Sequence, residues 1–369
     1  MENLAEVRLW GKQLGALAYD PATGVSTFEY SRQWRDAGIE IAPLHMPVAA
    51  TKYSFPGLNP ATYRALPDDF GNAVINAWLA RTGRDANAFT PVERLLYTGS
   101  RGMGALEFLP AIEGGQTSSK QGAELALDSL VAMAQAVLDE RLVLQQPVNH
   151  GSETESDEAM QAILQVGTSA GGARAKALVA VNADRTQIRS GQVDAPEGFE
   201  HYLLKFDGVE EHKTDSESFG DPRGFGRMEY AYYLMAKEAG INLSPSELLL
   251  EGGRAHFMTR RFDREGNHKL HYASLCAMDH AIEIFRRMVF NVIARNHDDH
   301  TKNFGFLLDG PALKGSRGQQ WRLSPAFDIA YSYKPGSPWV DSHQLSLNGK
   351  RDNFERNDLL VVAGLIGNF

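Results

Sequence analysis

The sequence predicts an α+β fold, and two observations carry that prediction. Short apolar runs bounded by turn residues cluster at two places, within 7–30 and within 177–206. Helical periodicity follows each cluster, at 73–81 and 124–138 and then at 228–239 and 282–293.

Each element has its own signal. Val7-Arg8-Leu9-Trp10 and Gly15-Ala16-Leu17-Ala18-Tyr19 flank the turn residues Gly11-Lys12, and Thr27-Phe28-Glu29-Tyr30 continues the pattern after Gly24. Val74, Ile75, Trp78 and Leu79 recur at helical spacing, and Leu127, Leu130, Val131, Ala134, Val137 and Leu138 share one helix face. The polar run 149–158 has no large apolar residue and reads as a linker or exposed turn, which bounds an amino-terminal α+β domain at 1–148. Beyond it, 177–181, 186–189 and 202–206 are strand candidates, with Pro196-Glu197-Gly198 as a turn. Residues 207–227 read as a mobile loop, a helix at 228–239 stops near Gly240, and 256–262 is a further strand. Ile282, Phe285, Met288, Val289, Val292 and Ile293 mark an amphipathic helix that ends just before Asn296, and 304–308 with 321–324 read as a hairpin.

Composition narrows the class. A chain of 369 residues allows two or three domains, and 43% hydrophobic with 22% charged residues excludes disorder throughout. The net charge of -9 argues against a chain that binds nucleic acid over its own surface. The lone cysteine, Cys276, excludes an internal disulfide and a multi-cysteine zinc site and fits a reducing compartment. The start lacks the basic-then-apolar order of a signal peptide, and no run reaches about 18 apolar residues, so a cytoplasmic chain without a membrane span is expected.

The most informative stretch is Asn296-His297-Asp298-Asp299-His300-Thr301-Lys302-Asn303, followed by Ser324-Pro325-Ala326-Phe327-Asp328. Asp298 and Asn303 have the D-x-x-x-x-N spacing of a kinase catalytic loop, and Asp328 stands after the next hairpin, where a metal-binding acid belongs. Phosphoryl transfer needs a carboxylate for the attacking hydroxyl and hard oxygen ligands for Mg²⁺. A rival reading has His297, Asp298, Asp299 and His300 ligating a transition metal in a hydrolase. The small-residue loop 167–176, with Ser169, Ala170, Gly171 and Gly172, suits close approach of backbone N–H groups to phosphates. Lys205 lies inside an apolar strand and would need an anionic partner, for which Glu229 is the candidate. Met258 to Phe262 could read an adenine edge, with Met258, Arg260 and Phe262 as nucleotide contacts. Arg261 and Arg264 read as surface charges, and His343, Lys350 and Arg351 as solvated.

Taken in order, these pieces make a kinase core, and the chain resembles the HipA-like serine/threonine kinases of bacterial toxin–antitoxin systems. Val7-Arg8-Leu9-Trp10 with Gly15, Leu66-Pro67-Asp68 and Gly102-Met103-Gly104-Ala105-Leu106 are similar to the family's first subdomain. Asn296 to Asn303, Ser324 to Asp328 and Leu347-Asn348-Gly349-Lys350 are similar to its carboxy-terminal signatures, Asn-x-Asp-x-His-x-x-Asn being the most specific. The resemblance implies a two-lobed kinase-like fold with the extra amino-terminal subdomain 1–148, a nucleotide-binding β-rich lobe 149–262 and a mostly helical catalytic lobe 263–369. It implies ATP and Mg²⁺ as cofactors, Asp298 as catalytic base, Lys205 on the phosphates with Glu229 as its helix partner, and Asn303 with Asp328 on the metal. His300 and Lys302 would lie toward the nucleotide, while Asp299 and His300 shape the loop. Ser169 stands where the family autophosphorylates, and a phosphate of about -1.5 to -2 charges there would repel those of ATP. The family's substrates are aminoacyl-tRNA synthetases. Its partner is a helix-turn-helix antitoxin, through which alone the chain would reach DNA. The alternatives are a catalytically silent antitoxin-binding module and a small-molecule phosphotransferase.

Overall fold

The structure, a computed structural model, describes residues 3–42, 45–50, 52–81, 83–110, 127–140, 174–209, 223–274, 281–310 and 321–366. Among these residues β1 (Leu4–Leu9), β2 (Lys12–Asp20), β3 (Val25–Tyr30), β4 (Lys52–Pro56) and β5 (Leu106–Pro110) form an antiparallel sheet in the order β4-β3-β2-β1-β5. Alternation decides its faces: Ala5, Val7 and Leu9 of β1 are buried while the residues between them are not. The helices of this half are α1 (Arg32–Ala37), α2 (Pro60–Tyr63), α3 (Asp69–Arg81), α4 (Pro91–Thr98) and α5 (Leu127–Glu140). Trp34 of α1 and Val92 and Leu95 of α4 cover the sheet, and a Thr90–Glu93 capping box starts α4.

A second antiparallel sheet, in the order β7-β6-β8-β10-β9, comprises β6 (Lys176–Asn182), β7 (Ile188–Ser190), β8 (Phe199–Lys205), β9 (Ser246–Glu251) and β10 (Arg254–Arg260). The wholly apolar run Ala177 to Val181 is buried at every position, as a strand covered on both faces must be. Helices α3 and α5 serve this sheet: Phe70, Val74, Leu130, Val131 and Val137 share a core with Val179, Leu204, Phe206 and Met258. α6 (Phe225–Glu238) crosses β10 backbone to backbone, because a Cβ on Gly226 would meet the Ala255 carbonyl oxygen at 1.8 Å.

The last third holds the hairpin β11 (Arg264–Glu265) and β12 (His268–Lys269), and the sheet β13-β14-β15 of β13 (His271–Ser274), β14 (Gly305–Leu308) and β15 (Trp321–Leu323). Its helices among the described residues are α7 (Ala281–Ile293) and α8 (Arg356–Ile366). The region is therefore mixed α/β, not the mostly helical lobe expected. Pro325, Pro335, Gly336, Pro338, Gly349 and their polar neighbours interrupt any helical period between β15 and α8. β9, Ser-Glu-Leu-Leu-Leu-Glu, has a composition that suits a helix, yet pairing with β10 makes it an edge strand.

A buried charge cluster joins the chain's first third to its last. Asp263 accepts Arg261 at 2.9 and 2.7 Å and the Gly104 N–H at 2.7 Å, while Arg264 donates to the Gly104 carbonyl at 3.2 Å. Arg261 and Arg264 are 3% and 7% exposed, so they are not surface charges; a buried carboxylate requires them. Beside this junction His271 is buried between Trp10 and Trp321, with ring centroids at 6.4 and 5.6 Å. Burial pushes its imidazole down to about 4 from 6.5. The unfolded chain then binds a proton at this residue through a window where the native chain does not, so stability falls as pH drops from about 6.5 toward 4. His271→Phe should remove roughly 3 kcal/mol at most from that fall, read as urea midpoints at pH 7 and pH 4.5. An identical pH dependence in variant and wild type would refute this account of His271.

Candidate active site

β8 ends on Lys205, whose side chain turns inward rather than to solvent. Its Nζ donates to Glu229 Oε1 at 2.9 Å and to Asp328 Oδ1 at 2.8 Å. Glu229 lies one turn into α6. Asp207 fixes the start of that helix: its Oδ1 accepts the N–H groups of Gly224 at 2.8 Å and Gly226 at 3.4 Å, and its Oδ2 that of Ala255 at 3.1 Å. Lys205 at the end of β8 and Asp207 two positions beyond it thus grip the helix through its side chain and through its backbone. Desolvation pulls the Lys205 ammonium down, but Asp328 and Glu229 outweigh it and hold the group above the usual lysine range. Burial would raise the Asp328 carboxyl, but Lys205, Lys176 and Arg174 hold it below its usual range.

The catalytic-loop candidates follow α7. Asn296 donates through Nδ2 to Asn291 Oδ1 at 3.0 Å and to the Asp328 carbonyl at 3.2 Å. The His297 N–H donates to the Ser332 carbonyl at 3.1 Å, and the Ser332 N–H returns to the Arg295 carbonyl at 3.1 Å. These bonds lash the segment after α7 to the segment after β15. Asp328 has φ 52°, a left-handed backbone that Asp tolerates better than most residues. The Asp298 side chain is 48% exposed, and His300 Nε2 stands 3.6 Å from its Oδ1. Burial of the carboxyl raises its proton affinity, His300 opposes this, and the charge of Asp328 adds to it. The charge of Asp328 is thus felt at the Asp298 carboxyl.

Asn303 donates its Nδ2 to the Asp298 carbonyl at 2.8 Å, which leaves its amide oxygen as the atom it can offer a cation. Asn303, Asp328 and Asn296 line one small cavity, and Asn296 Oδ1, buried there, has no protein partner. One carboxylate and amide oxygens are hard donors that fit Mg²⁺ completed by phosphate oxygens. Among the described residues no three His, Cys, Asp or Glu side chains gather as a metal site. The transition-metal alternative fails on geometry: Asp299 is engaged with His343 at 2.9 Å, and the His297 ring lies on those of His343 and Tyr333.

The remaining expected residues divide. Ser169, Ala170, Gly171 and Gly172, with Thr168, lie outside the described residues. Met258 is 0% exposed in the core of the second sheet. Arg260 pairs with Glu200 at 2.9 Å, and the N–H groups of Arg260 and Arg261 are bonded to the carbonyls of Pro245 and His201. Strand pairing and packing thus engage Met258, and Glu200 engages the Arg260 side chain. Phe262 does approach the site, 5.4 Å from Phe327 and 5.7 Å from Tyr272 between ring centroids. Lys302 places its Nζ over the Tyr63 ring at 5.6 Å. His343 is 2% exposed, Lys350 pairs with Asp358 at 2.9 Å, and Arg351 Nε donates to the His343 carbonyl at 2.6 Å, so none of the three is simply solvated.

Residue-by-residue reading missed Arg174, Lys176 and Asp68 as site residues. Arg174 donates to Glu229 Oε1 at 2.9 Å and lies over the Phe225 ring at 4.5 Å. Lys176 faces Lys205 across the β6–β8 pair and meets Asp68 at 3.2 Å, both side chains buried. The one available signal was the position of Arg174 and Lys176 at the end of the small-residue loop.

The HipA-like C-terminal domain model matches residues 168–282 and 277–364, and the HipA N-terminal domain model matches residues 5–109. No curated protein matches the chain. Among solved structures, HipA in the complex of the Shewanella oneidensis MR-1 toxin–antitoxin system HipA, HipB and its operator DNA is similar, with a TM-score of 0.60 and 14% identity over 98% of this chain and 84% of that one. At that identity the likeness concerns the fold: mixed α/β with antiparallel sheets. Because the family models span both five-stranded sheets and the segments bearing Lys205, Asp298 and Asp328, the chain belongs to the HipA family.

Proposed function

We propose that this chain is an ATP- and Mg²⁺-dependent serine/threonine protein kinase, the toxin of a toxin–antitoxin pair. The observation that carries the reading is Lys205 bonded at once to Glu229 and Asp328, with the charge of Asp328 acting on Asp298. In this reading 149–262 is the nucleotide-binding lobe, 263–369 the catalytic lobe and 1–148 an added subdomain. The Asp298 carboxylate accepts the proton of a Ser or Thr hydroxyl as that oxygen bonds to the γ-phosphorus. The bond from the γ-phosphorus to the bridging oxygen breaks, and ADP leaves with the electron pair. The raised proton affinity of Asp298 favours that acceptance. Lys205, locked by two carboxylates, presents a fixed cation to phosphate oxygens. Mg²⁺ held by Asn303 and Asp328 would neutralise phosphate charge.

The partner belongs to the same proposal. The similar Shewanella HipA was solved with HipB and operator DNA. A net charge of -9 suits a chain that reaches DNA through a helix-turn-helix antitoxin. No helix among the described residues is long and apolar enough to cross a membrane, and a cytoplasmic place fits the role. An aminoacyl-tRNA synthetase is the proposed substrate, and phosphorylation of Ser169 in the small-residue loop is the proposed off-switch.

Asp298→Asn and Asp328→Ala should each lower transfer of labelled phosphate from ATP by at least about 100-fold, with an unchanged circular dichroism spectrum. Transfer retained in both variants would reject the assignment. Incubation with Mg-ATP should place phosphate on Ser169 or Thr168 by mass spectrometry, and phosphate found only elsewhere would reject the loop switch.

A further inference from the structure

Both chain neighbours of Asp298 are pinned, and both pins end on one side chain. On one side, buried Asp299 accepts His343 Nδ1–H at 2.9 Å and the backbone N–H groups of Gln344 at 2.7 Å and Leu345 at 3.2 Å. On the other, the His297 ring lies 4.2 Å from the His343 ring at an interplanar angle of 30°. Tyr333 extends the column beyond His297 at 4.6 Å, and Phe354 closes it behind His343 at 5.2 Å. The backbone of His343 is held in turn. Its N–H donates to the Arg351 carbonyl at 3.0 Å, and its carbonyl accepts Arg351 Nε. Asp298 alone of the three consecutive residues keeps a half-exposed side chain.

We propose that His343 is a positioning residue for the proposed phosphate transfer: it sets the direction of the Asp298 carboxylate by bonding Asp299 and stacking on His297, without touching substrate. The proposal rests on the reading of Asp298 as base. Asp299, as a carboxylate, only accepts, so His343 Nδ1 carries the proton between them. The imidazole does two jobs that ordinary side chains do singly, donating in its plane and packing by its face. Lys205 and Glu229 hang on the second sheet and on α6, and the bonds they make with each other, Asp328 and Arg174 include no member of this column. Loss of His343 should therefore misdirect the base while leaving the nucleotide's cation in place. A misplacement on the ångström scale costs rate rather than nucleotide binding, up to about 100-fold.

Four variants test this in the full chain: His343→Phe keeps a ring without the donor, His343→Asn keeps a donor at the Nδ1 position, and Asp299→Asn is made alone and combined with His343→Phe. His343→Phe should lower kcat roughly 10- to 100-fold with KM for ATP within about twofold, and His343→Asn should recover most of that loss. The double variant should be no slower than the slower single one, because both act on one contact. Wild-type kcat in His343→Phe, a raised KM for ATP at unchanged kcat, or losses that multiply would each overturn the proposal. If His343→Phe does not fold, Asp299→Asn and His343→Asn carry the same kcat comparison. If the wild type transfers no phosphate, the reading of Asp298 falls, and amide hydrogen exchange decides the clamp separately. Faster exchange across 297–303 in His343→Phe upholds it; unchanged exchange sinks it.

Discussion

A buried ammonium between two carboxylates organises this molecule. Lys205, Glu229 and Asp328 come from a strand, a helix and a loop, and neither Lys205 nor Glu229 could be buried alone at tolerable cost. Together they bring the second sheet, α6 and the segment after β15 to one point. Arg174 and Lys176 add positive charge next to Asp328, balanced by Glu229 and Asp68. The result is a set of matched charges in which Lys205 and Glu229 each meet two partners of opposite sign.

Around that point the backbone is held by contacts that regular secondary structure does not supply. Asp328 is left-handed at φ 52°, and Arg295, just before the catalytic-loop candidates, has the same φ. Each is fixed by bonds to the other's segment, through Asn296 and through Ser332. Phe327, next to Asp328, is packed with Phe262 and Tyr272. The Tyr272 ring in turn lies where a Cβ on Gly305 would stand, at 2.1 Å, so β14 needs glycine at its start. Strain at the acid is thus carried by close packing on one side and by hydrogen bonds on the other.

The amino-terminal third is tied into the same structure. α3 and α5 share the core of the second sheet, Asp68 reaches Lys176, and Gly104 bonds Asp263. Trp10 Nε1 donates to the Lys269 carbonyl at 2.9 Å, and Lys269 Nζ returns to the Ser100 carbonyl at 2.7 Å. Burial and charge pairing at these contacts give the first third a direct mechanical link to the sheet that carries Lys205.

Local pattern determined much of this from the amino-acid order alone. Turn residues between apolar runs specified β1, β2 and β3, helical period specified α3, α5, α6 and α7, and the strand around Lys205 stood out because a lysine interrupts apolar neighbours. The loop from Asn296 to Asn303 and its partner Asp328 were legible because polar clusters at fixed spacing follow a strongly apolar helix. Tertiary structure alone decided what depends on residues distant in the chain. It assigned α3 and α5 to the second sheet, buried Arg261 and Arg264 around Asp263, and engaged Met258 and Arg260 in strand pairing and packing. It also buried His343, forty-five positions after Asp298, against both neighbours of that acid. Local periodicity reports which face of an element is apolar; it carries no information on which distant face will cover it, and a charge's partner is known only once that covering is made.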